Sequence, residues 1–435
     1  MSSILTNNGA MVALQTLKSI NSDMASTQSQ ISTGKNVASA KDNSAVWAIS
    51  KVMEADVKGF QGISDSLNLG QSTVSVARQA SETVTELLTD IKGKVVAAQE
   101  ENVDRDKIQT DIDALRDQIG AVVGAAQFNG LNLLSNTDTT AGSGSVNVLA
   151  SLDRSSSGVA ASDISVAKQD LGTGASSISA TGGTFAAAAV ANVTVNNAGS
   201  TQNMDLSGLT AAAGTAYAIT LAGTDADSNS FTPGDYNEGA ATPTQANAAA
   251  ASVTYIARDG DTSADIASGL ADAFNKWVSS NNLDSDVISM SASGSTLTAS
   301  KTATYADAGD QLVVRLSSVS ADAGNVIGGG LEDLAGIDVT TQANVDQALT
   351  DIEGLIQTSI DAAASFGSVQ GRIETQSEFI SGLTDALKSG IGTLVDADME
   401  ETSAKLQALQ VQQQLGVQAL SIANQAPQQL LSLFR

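Results

Sequence analysis

The 435-residue chain contains no cysteine, no histidine, three prolines and few aromatic residues. Without cysteine and histidine it can form no disulfide, offers no thiolate or imidazole metal ligand, and lacks the most common acid–base catalyst. A Ser-His-Asp hydrolase triad and an H-E-x-x-H metalloprotease motif are therefore both excluded. We expect no enzyme activity and no cofactor.

Basic residues are also scarce, with 21 Lys and Arg against 47 Asp and Glu and a net charge of -26. This charge would repel nucleic acid and anionic membranes, so neither is expected as a partner. No run approaches the roughly 18 apolar residues of a membrane span. The first residues, MSSILTNNGAMVALQTLKS, lack the basic start, apolar core and cleavage site of a signal peptide. We expect a protein that stays inside the cell or leaves by a route without a cleaved signal.

Heptad repeats dominate the two ends of the chain. A seam with alternating spacings of three and four runs through Ile63, Leu67, Gly70, Val74, Ala77, Ser81, Val84, Leu88, Ile91, Val95 and Ala98. A second run follows through Ile108, Ile112, Leu115, Ile119 and Val122. Near the carboxyl end the repeat is Ile352, Ile356, Ala363, Phe366, Ile373, Ile380, Leu387, Ile391 and Leu394, interrupted by Ser359, Gln370, Ser377 and Thr384. Such long helices need neighbours to be stable, which predicts a rod that brings both ends together.

The middle of the chain, residues 143–334, has a different character. It is rich in Gly, Ala, Ser and Thr, and short runs such as YAITLAG show the period-2 alternation of strands. One helix is predicted, with Ile266, Leu270, Phe274 and Trp277 on one face and Thr262 with Asp265 as a capping box. SVTYIA before it and VISMSA with STLTAS after it predict a strand, a helix and a hairpin. The predicted fold is mainly α at both ends, with long coiled-coil helices packed together, around a central β-rich α+β insertion of one or two lobes.

The outermost segments carry apolar residues on several helix faces. Residues 1–34 have little charge and contain Met11, Leu14, Leu17, Ile20, Met24 and Ile31. From Met399 a seam runs through Thr402, Leu406, Leu409, Gln413, Gly416, Leu420 and Ala423, while Val411, Leu415, Val417 and Ile422 lie on other faces. The simpler interpretation is a terminal hairpin that only caps the rod. The apolar area left uncovered favours instead a partner or a second copy of the chain.

The stretch ISTGKNVASAKDNSAVWAIS, residues 31–50, interrupts the predicted helices with a Gly-Lys pair. A phosphate-binding loop requires G-x-x-x-x-G-K-[ST] after a strand, whereas here Asn36 follows Lys35, the upstream glycine is missing and a helix precedes. Gly34 is better interpreted as the residue that ends the first helix, with Asp42 or Asn43 capping the next. The stretch is predicted to be a joint.

Four carboxylates of the insertion, Asp225, Asp227, Asp259 and Asp261, lie in turn-like stretches. Solvated loop acids are the favoured interpretation, and a weak calcium site is the alternative.

Several motifs together resemble those of bacterial flagellins. QISTGKNVASAKDNSAVWAIS resembles the joint between their first terminal helix and the rod, and AQFNGLNLL resembles the turn that ends the amino-terminal rod helices. FGSVQGRIE, LVDADMEE and ANQAPQQLLSLFR resemble the flagellin carboxyl terminus. The resemblance covers residues 1 to about 140 and 336–435.

The resemblance implies a subunit of the flagellar filament, a helical tube used for swimming. Residues 1–40 and 395–435 would form a terminal coiled coil in the inner layer of the filament. Residues 41–142 and 335–394 would form a helical rod in an outer layer, and residues 143–334 the exposed surface. Gly34, Lys35, Asn36 and Asp42 would join the two layers. Assembly is expected to depend on Leu14, Leu17, Met24, Ile31, Leu406, Leu409 and Leu420.

The resemblance also implies partners and a location. The expected partners are further copies of the chain, the flagellar cap protein, the hook-filament junction protein and an export chaperone, and the expected location is extracellular. Asp90 and Gly93 stand where gut-bacterial flagellins typically have Arg and Glu, which argues against recognition by the host flagellin receptor. The alternative is a hook-filament junction protein, whose ends resemble those of flagellin. The terminal QQLLSLFR favours flagellin.

Overall fold

The computed structural model describes residues 7–155, 158–190, 192–195, 201–224, 236, 243–281, 283, 285, 287–301 and 311–433. The chain divides into two compact units. The first comprises Met1–Asp65, Ser151–Ala161 and Gln376–Arg435, and the second Ser66–Ala150 and Ser162–Thr375.

Helices form both ends of the chain, as the heptad repeats predict. The amino-terminal part contains α1 (Asn8–Thr33), α2 (Ser44–Ala98) and α3 (Arg105–Ala125). Two short or medium helices, α4 (Gln245–Ala249) and α5 (Ser263–Ser280), lie in the central region. The carboxyl-terminal part contains α6 (Gln342–Val395) and α7 (Met399–Leu433). The predicted fold class, helical ends around a β-rich centre, is confirmed.

The long helix α2 buries the whole seam that the sequence predicts. All eleven positions from Ile63 to Ala98 are buried, including Gly70 and Ser81. On α6, Ile352, Phe366 and Ile373 are fully buried as well. Period and burial therefore agree over the length of this seam.

Polar groups join α2 to α6 inside the second unit. The Ser359 hydroxyl donates to the Ser81 carbonyl oxygen at 3.1 Å, and the Ser81 hydroxyl donates to the Ala77 carbonyl oxygen at 2.9 Å. The polar interruption at Ser359 is thus a hydrogen-bonded contact between the two helices. Nearer the surface, Lys92 pairs with Glu353 at 2.5 Å.

Four predicted seam positions are displaced by one residue. The buried side chain is Val123 in place of Val122, Leu355 in place of Ile356, Ala362 in place of Ala363, and Val395 in place of Leu394. On α6 the seven-residue series from Ile352 to Ile380 stays buried without drift, and Leu355 and Ala362 follow its members by three residues, whereas the prediction placed the intermediate position four residues on.

Two hairpins follow α3. The first joins β1 (Gln127–Phe128) to β2 (Leu131–Asn132) through Asn129 and Gly130, which both have positive φ. Positive φ at both central residues is typical of a type I′ turn. The second joins β3 (Ser145–Ser155) to β4 (Gly158–Ala167). It packs on α2, where a Cβ on Gly70 would lie 2.6 Å from Cγ1 of Val148.

The described residues of the β-rich centre form two sheets. Its strands are β5 (Phe185–Ala186), β6 (Val193–Val195), β7 (Thr201–Asp205), β8 (Ala216–Thr224), β9 (Thr254–Ile256), β10 (Ser289–Ser293), β11 (Thr296–Ser300) and β12 (Gln311–Val319). In one sheet β12 pairs antiparallel with β8, β5 and β6, and β8 pairs with β9. The other has the order β10-β11-β7.

Helix α5 covers the core of this centre. Ile266, Leu270, Phe274 and Trp277, the predicted apolar face, are all buried. The capping box is present too, because the Thr262 backbone N–H donates to Oδ2 of Asp265 at 2.7 Å. The predicted unit of strand, helix and hairpin is therefore confirmed as β9, α5 and β10-β11.

Candidate assembly site

The terminal helices α1 and α7 pack against each other within the first unit. The less exposed side of α7 follows the predicted seam, with Thr402 and Leu409 each 7% exposed. Gly416 allows a close approach, because a Cβ there would lie 3.2 Å from Cδ1 of Leu17. Side-chain hydrogen bonds reinforce the pair: Asn7 donates to the Ala423 carbonyl oxygen at 2.8 Å, and Gln413 to Oδ1 of Asn21 at 2.7 Å.

The seven residues on which assembly is predicted to depend divide into two groups. Six lie on the half-buried or buried sides of their helices: Leu17, Met24, Ile31, Leu406, Leu409 and Leu420. Leu14 is 54% exposed and lies outside that seam. The seam therefore serves first to hold α1 and α7 of one chain together. Its part in assembly stays a prediction.

A second set of apolar side chains points away from the seam. On α7, Val411, Leu415 and Ile422 are 56%, 58% and 69% exposed. Their spacing of four and seven residues places them on one helix face, about 200–240° from Leu409 around the helix axis. On α1, Met11, Val12 and Leu14 are more than half exposed as well. The helix pair thus has an uncovered apolar surface within the single chain.

Charge is almost absent from this helix pair. Helix α1 carries only Lys18 and Asp23, and from Leu406 to Leu433 α7 carries no charged residue, although the chain has a net charge of -26. Two copies of the pair can therefore approach each other with little electrostatic repulsion between these two helices.

The joint lies where two helix-to-helix connections, that from α1 to α2 and that from α6 to α7, run side by side. Helix α1 ends at Thr33, and Gly34 follows with φ +69 and donates its N–H to the Gln30 carbonyl oxygen at 2.9 Å. Lys35 and Asp396 then form an antiparallel bridge. Asn36 N–H donates to the Val395 carbonyl oxygen at 2.7 Å, and Ala397 N–H to that of Gly34 at 3.0 Å. Both strands of the chain leave the helical conformation here, between α1 and α2 and between α6 and α7.

Asp42 and Asn43 have separate roles in this joint. Asn43 caps α2, since its Oδ1 accepts from the backbone N–H groups of Ala45 and Val46, each at 3.2 Å. The Asp42 carboxylate instead closes the preceding turn by accepting from Ser39 N–H at 2.8 Å and Ala38 N–H at 3.1 Å. The pKa of Asp42 lies below its ordinary value, mainly because of the Ser39 backbone hydrogen bond. Gly34-Lys35 directly follows helix α1 and connects it to α2, whereas a phosphate-binding loop directly follows a strand.

The insertion carboxylates do not form a described metal site. Asp225 and Asp227 lie outside the described residues. Asp259 accepts from the N–H groups of Gly142 and Gly144, and Asp261 accepts from the Tyr255 hydroxyl and Arg258 N–H. Among the residues that the structure describes, no group of three or more acidic side chains could hold a metal ion. Over the same residues, every helix is too short or too polar to cross a membrane.

Family models for bacterial flagellin match both ends of the chain. The model of the bacterial flagellin N-terminal helical region matches residues 4–139, and that of the C-terminal helical region matches residues 342–434. The chain therefore belongs to the bacterial flagellin family, and as a flagellin it is a structural subunit of the flagellar filament.

Full-length relatives agree with the family models. Flagellin A of Rhizobium meliloti is 36% identical over 443 residues, and Flagellin A of Rhizobium meliloti (strain 1021) is 37% identical over 450 residues. In both comparisons the whole of this chain and of the relative is covered.

The structure of the flagellar junction protein FlgL from Legionella pneumophila is 11% identical, with a TM-score of 0.28, and covers 81% of this chain and 98% of its own. That likeness is too low to support an argument. Because the full-length relatives are flagellins, the junction-protein alternative is not favoured.

Proposed function

We propose that the chain polymerises through the outward faces of α1 and α7. The observation that carries this proposal is the apolar stripe of Val411, Leu415 and Ile422, each more than half exposed. The part of α7 that carries this stripe, from Leu406 to Leu433, has no charged residue. Covering one such side chain contributes about 1.5–3 kcal/mol. A second copy of the same neutral pair is the partner that a subunit of charge -26 tolerates best.

The layered arrangement is part of the proposal. Residues 1–40 and 395–435 would form the inner layer, and the helical rod the layer around it. Helices α1 and α6 both end beside the bridge between Lys35 and Asp396, and this supports a boundary between the two layers at that point. The exposed surface would begin after the β3-β4 hairpin rather than at residue 143, since Val148 of this hairpin packs on α2.

We further propose a purely structural role, without catalysis. The lack of histidine and cysteine supports this, as does the engagement of Asp259 and Asp261 in structural hydrogen bonds. By resemblance, the subunit would be exported unfolded with a chaperone on α7, polymerise beneath the cap protein beyond the junction protein, and remain extracellular. Asp90 and Gly93 are both exposed on α2, where a receptor could contact them. We therefore still expect that the host flagellin receptor does not bind this protein.

A matched pair of substitutions tests the assembly face. Val411→Asn and Val326→Asn make the same change at valines that are 56% and 53% exposed, one on α7 and one in the segment that leads from the insertion to the rod. Losing about 1.4 kcal/mol at each subunit contact raises the critical concentration roughly tenfold. We expect that increase for Val411→Asn and for Leu415→Asn, and none for Val326→Asn. Sedimentation of seeded polymer measures it.

Two results would contradict the proposal. One is normal growth of Val411→Asn and Leu415→Asn filaments, which would place the contact elsewhere. The other is equal impairment by Val326→Asn, which would make general surface hydrophobicity the cause. Circular dichroism of each variant checks that helix content is unchanged.

A further inference from the structure

The insertion is connected to the rod through two adjacent extended segments, Gly172–Ser179 and Asn325–Leu331, which share one isolated β-bridge between Ser177 and Val326. We call this pair the neck and its two segments the neck strands. Backbone hydrogen bonds join them: Leu331 N–H to the Gly172 carbonyl oxygen at 2.9 Å, Gly329 N–H to that of Gly174 at 2.8 Å, and Val326 N–H to that of Ser177 at 2.8 Å. The strands touch so closely that a Cβ on Gly329 would lie 1.9 Å from the Gly172 oxygen. An isolated pair of strands is only marginally stable and needs further packing to hold its shape.

A turn of the insertion returns to this neck. It is Arg258–Asp261, between β9 and α5, and we call it the strut. The Arg258 guanidinium donates from Nε to the Asp170 carboxylate at 3.3 Å and from Nη2 to the Gly328 carbonyl oxygen at 3.0 Å. Asp170 lies two residues before one neck strand, and Gly328 lies within the other. The Arg258 and Asp170 side chains are 21% and 5% exposed, so the ion pair is shielded from water.

The next residue of the strut reaches past the neck to the base of the β3-β4 hairpin. The Asp259 carboxylate accepts from Gly142 N–H at 3.1 Å and Gly144 N–H at 2.7 Å. The Asn136 amide donates to the Asp259 carbonyl oxygen at 3.2 Å. A Cβ on Gly144 would lie 2.2 Å from that same oxygen, so only glycine fits. The strut therefore contacts the part of the chain that packs on α2.

The strut is held rigid from within the insertion. Asp261 Oδ2 accepts from the Tyr255 hydroxyl and from Arg258 N–H, each at 2.7 Å. Burial and the neighbouring Asp261 raise the pKa of Tyr255, so its hydroxyl stays a donor at physiological pH. Ala257, which directly precedes the strut, donates its N–H to the Thr215 carbonyl oxygen at 2.9 Å, next to the start of β8.

We propose that the strut fixes the insertion on the rod as a rigid extension, with Arg258 as the positioning residue. It acts together with the two neck strands and with two contacts of α5, the hydrogen bond of Ser279 with Gln347 on α6 and the ion pair of Lys276 with Asp333. Among these connections the strut is the buried one that grips the neck itself, and it opposes swinging of the insertion about the neck. In the filament, and resting in this respect on the proposed function, the strut would set the orientation of the outermost surface. Assembly through α1 and α7 would not depend on it.

The absence of cysteine allows a direct test, since two introduced cysteines can be spin-labelled uniquely. Ser368 on α6 and Ser291 on β10 are exposed label positions on the rod and the insertion. We expect a narrow distance distribution by pulsed EPR in the labelled protein and a broad one after Arg258→Met. Arg116→Met is the matched control, because Arg116 pairs with Asp113 at 3.2 Å on α3 with a side chain 29% exposed. It should leave the distribution narrow.

The double variant Arg258→Met/Asp170→Asn separates positioning from stability. Arg258→Met alone leaves the buried Asp170 carboxylate without its counter-ion, with the Gly172 N–H at 3.0 Å as its remaining donor among the described residues, and this destabilises the fold, whereas the double variant removes that charge. We expect the double variant to regain stability toward denaturant but to keep the broad distribution. Arg258→Lys, which keeps the charge without the forked donors, should broaden it less. A narrow distribution in the stable double variant would overturn the proposal. Seeded polymerisation, measured separately, should be normal in all these variants, so failure of the strut is distinguishable from failure of the assembly face.

Discussion

At the scale of single residues, the buried polar groups between α2 and α6 show how a heptad seam can be specific. Ser359 is fully buried, donates to the Ser81 carbonyl oxygen and lies 2.9 Å from the Thr85 hydroxyl oxygen. Judged from the sequence alone, an apolar residue at position 359 would fit the heptad repeat of α6 better than serine. The site, however, is filled by a small side chain whose hydroxyl is satisfied, and interiors are close-packed.

We therefore expect Ser359→Leu to destabilise the subunit, although it improves the heptad pattern. Overpacking costs about 1–3 kcal/mol, and loss of the hydrogen bond adds about 0.5–1.5 kcal/mol. Denaturant unfolding measures the change. Ser368→Leu makes the same substitution at an exposed position of α6 and should be nearly neutral. A gain in stability for Ser359→Leu would show that the seam has spare room.

At the scale of elements, the joint depends on one backbone conformation. Gly34 has φ +69, and a Cβ there would meet nothing within 4 Å, so only the backbone strain opposes a side chain. Gly62 on α2 also has open space around it but lies within a helix. The two glycines thus differ mainly in φ.

Alanine at these two positions should have opposite effects. Gly34→Ala should weaken the end of α1 by about 1–2 kcal/mol, the cost of the left-handed conformation. Gly62→Ala should stabilise α2 by about 0.5–1 kcal/mol. Gly34→Asn should be milder than Gly34→Ala, because Asn tolerates this conformation. Hydrogen exchange of the last turn of α1 in the filament measures the first effect; unchanged protection would show that Gly34 is not needed to end the helix.

The elements also show which parts of the fold a sequence can predict. The seam of α2 and the face of α5 follow from period alone, because one residue in three or four must meet a neighbour. The placement of the β3-β4 hairpin on α2 was missed, since its strands pair locally and their partner is distant in sequence. Gly70 was the available signal: a glycine in an apolar seam leaves space, and Val148 fills it. The pairing of β12 with β8 and of Arg258 with Asp170 depends on contacts between distant segments, which no local pattern reveals.

At the scale of the whole molecule, the neck defines where the insertion can be removed. Ser177 and Val326 are antiparallel bridge partners that exchange both backbone hydrogen bonds, at 3.0 and 2.8 Å. Such a pair can be closed by a two-residue type I′ turn, for which Asn-Gly is the favoured sequence. The insertion bounded at residues 143 and 334, as composition indicates, also includes side chains that are buried outside the β-rich centre. Among them are Val148, Leu171, Leu331 and Leu334, each at most 6% exposed.

Two deletions should therefore behave differently. Replacing residues 178–325 by Asn-Gly leaves Val148, Leu171, Leu331 and Leu334 in place, and we expect a subunit that folds and elongates seeded filaments. This deletion also removes Arg258, the ion-pair partner of Asp170, so a version with Asp170→Asn avoids leaving that carboxylate without its counter-ion. Deleting residues 143–334 removes all four side chains, and each buried leucine lost costs about 2–5 kcal/mol. Their sum is comparable to the about 5–15 kcal/mol that stabilises a whole domain, so this subunit should not fold. Thermal unfolding and sedimentation of seeded polymer distinguish the two. If the shorter deletion folds but never elongates, the insertion contributes contacts to the filament lattice and the assembly face is not confined to the helical ends.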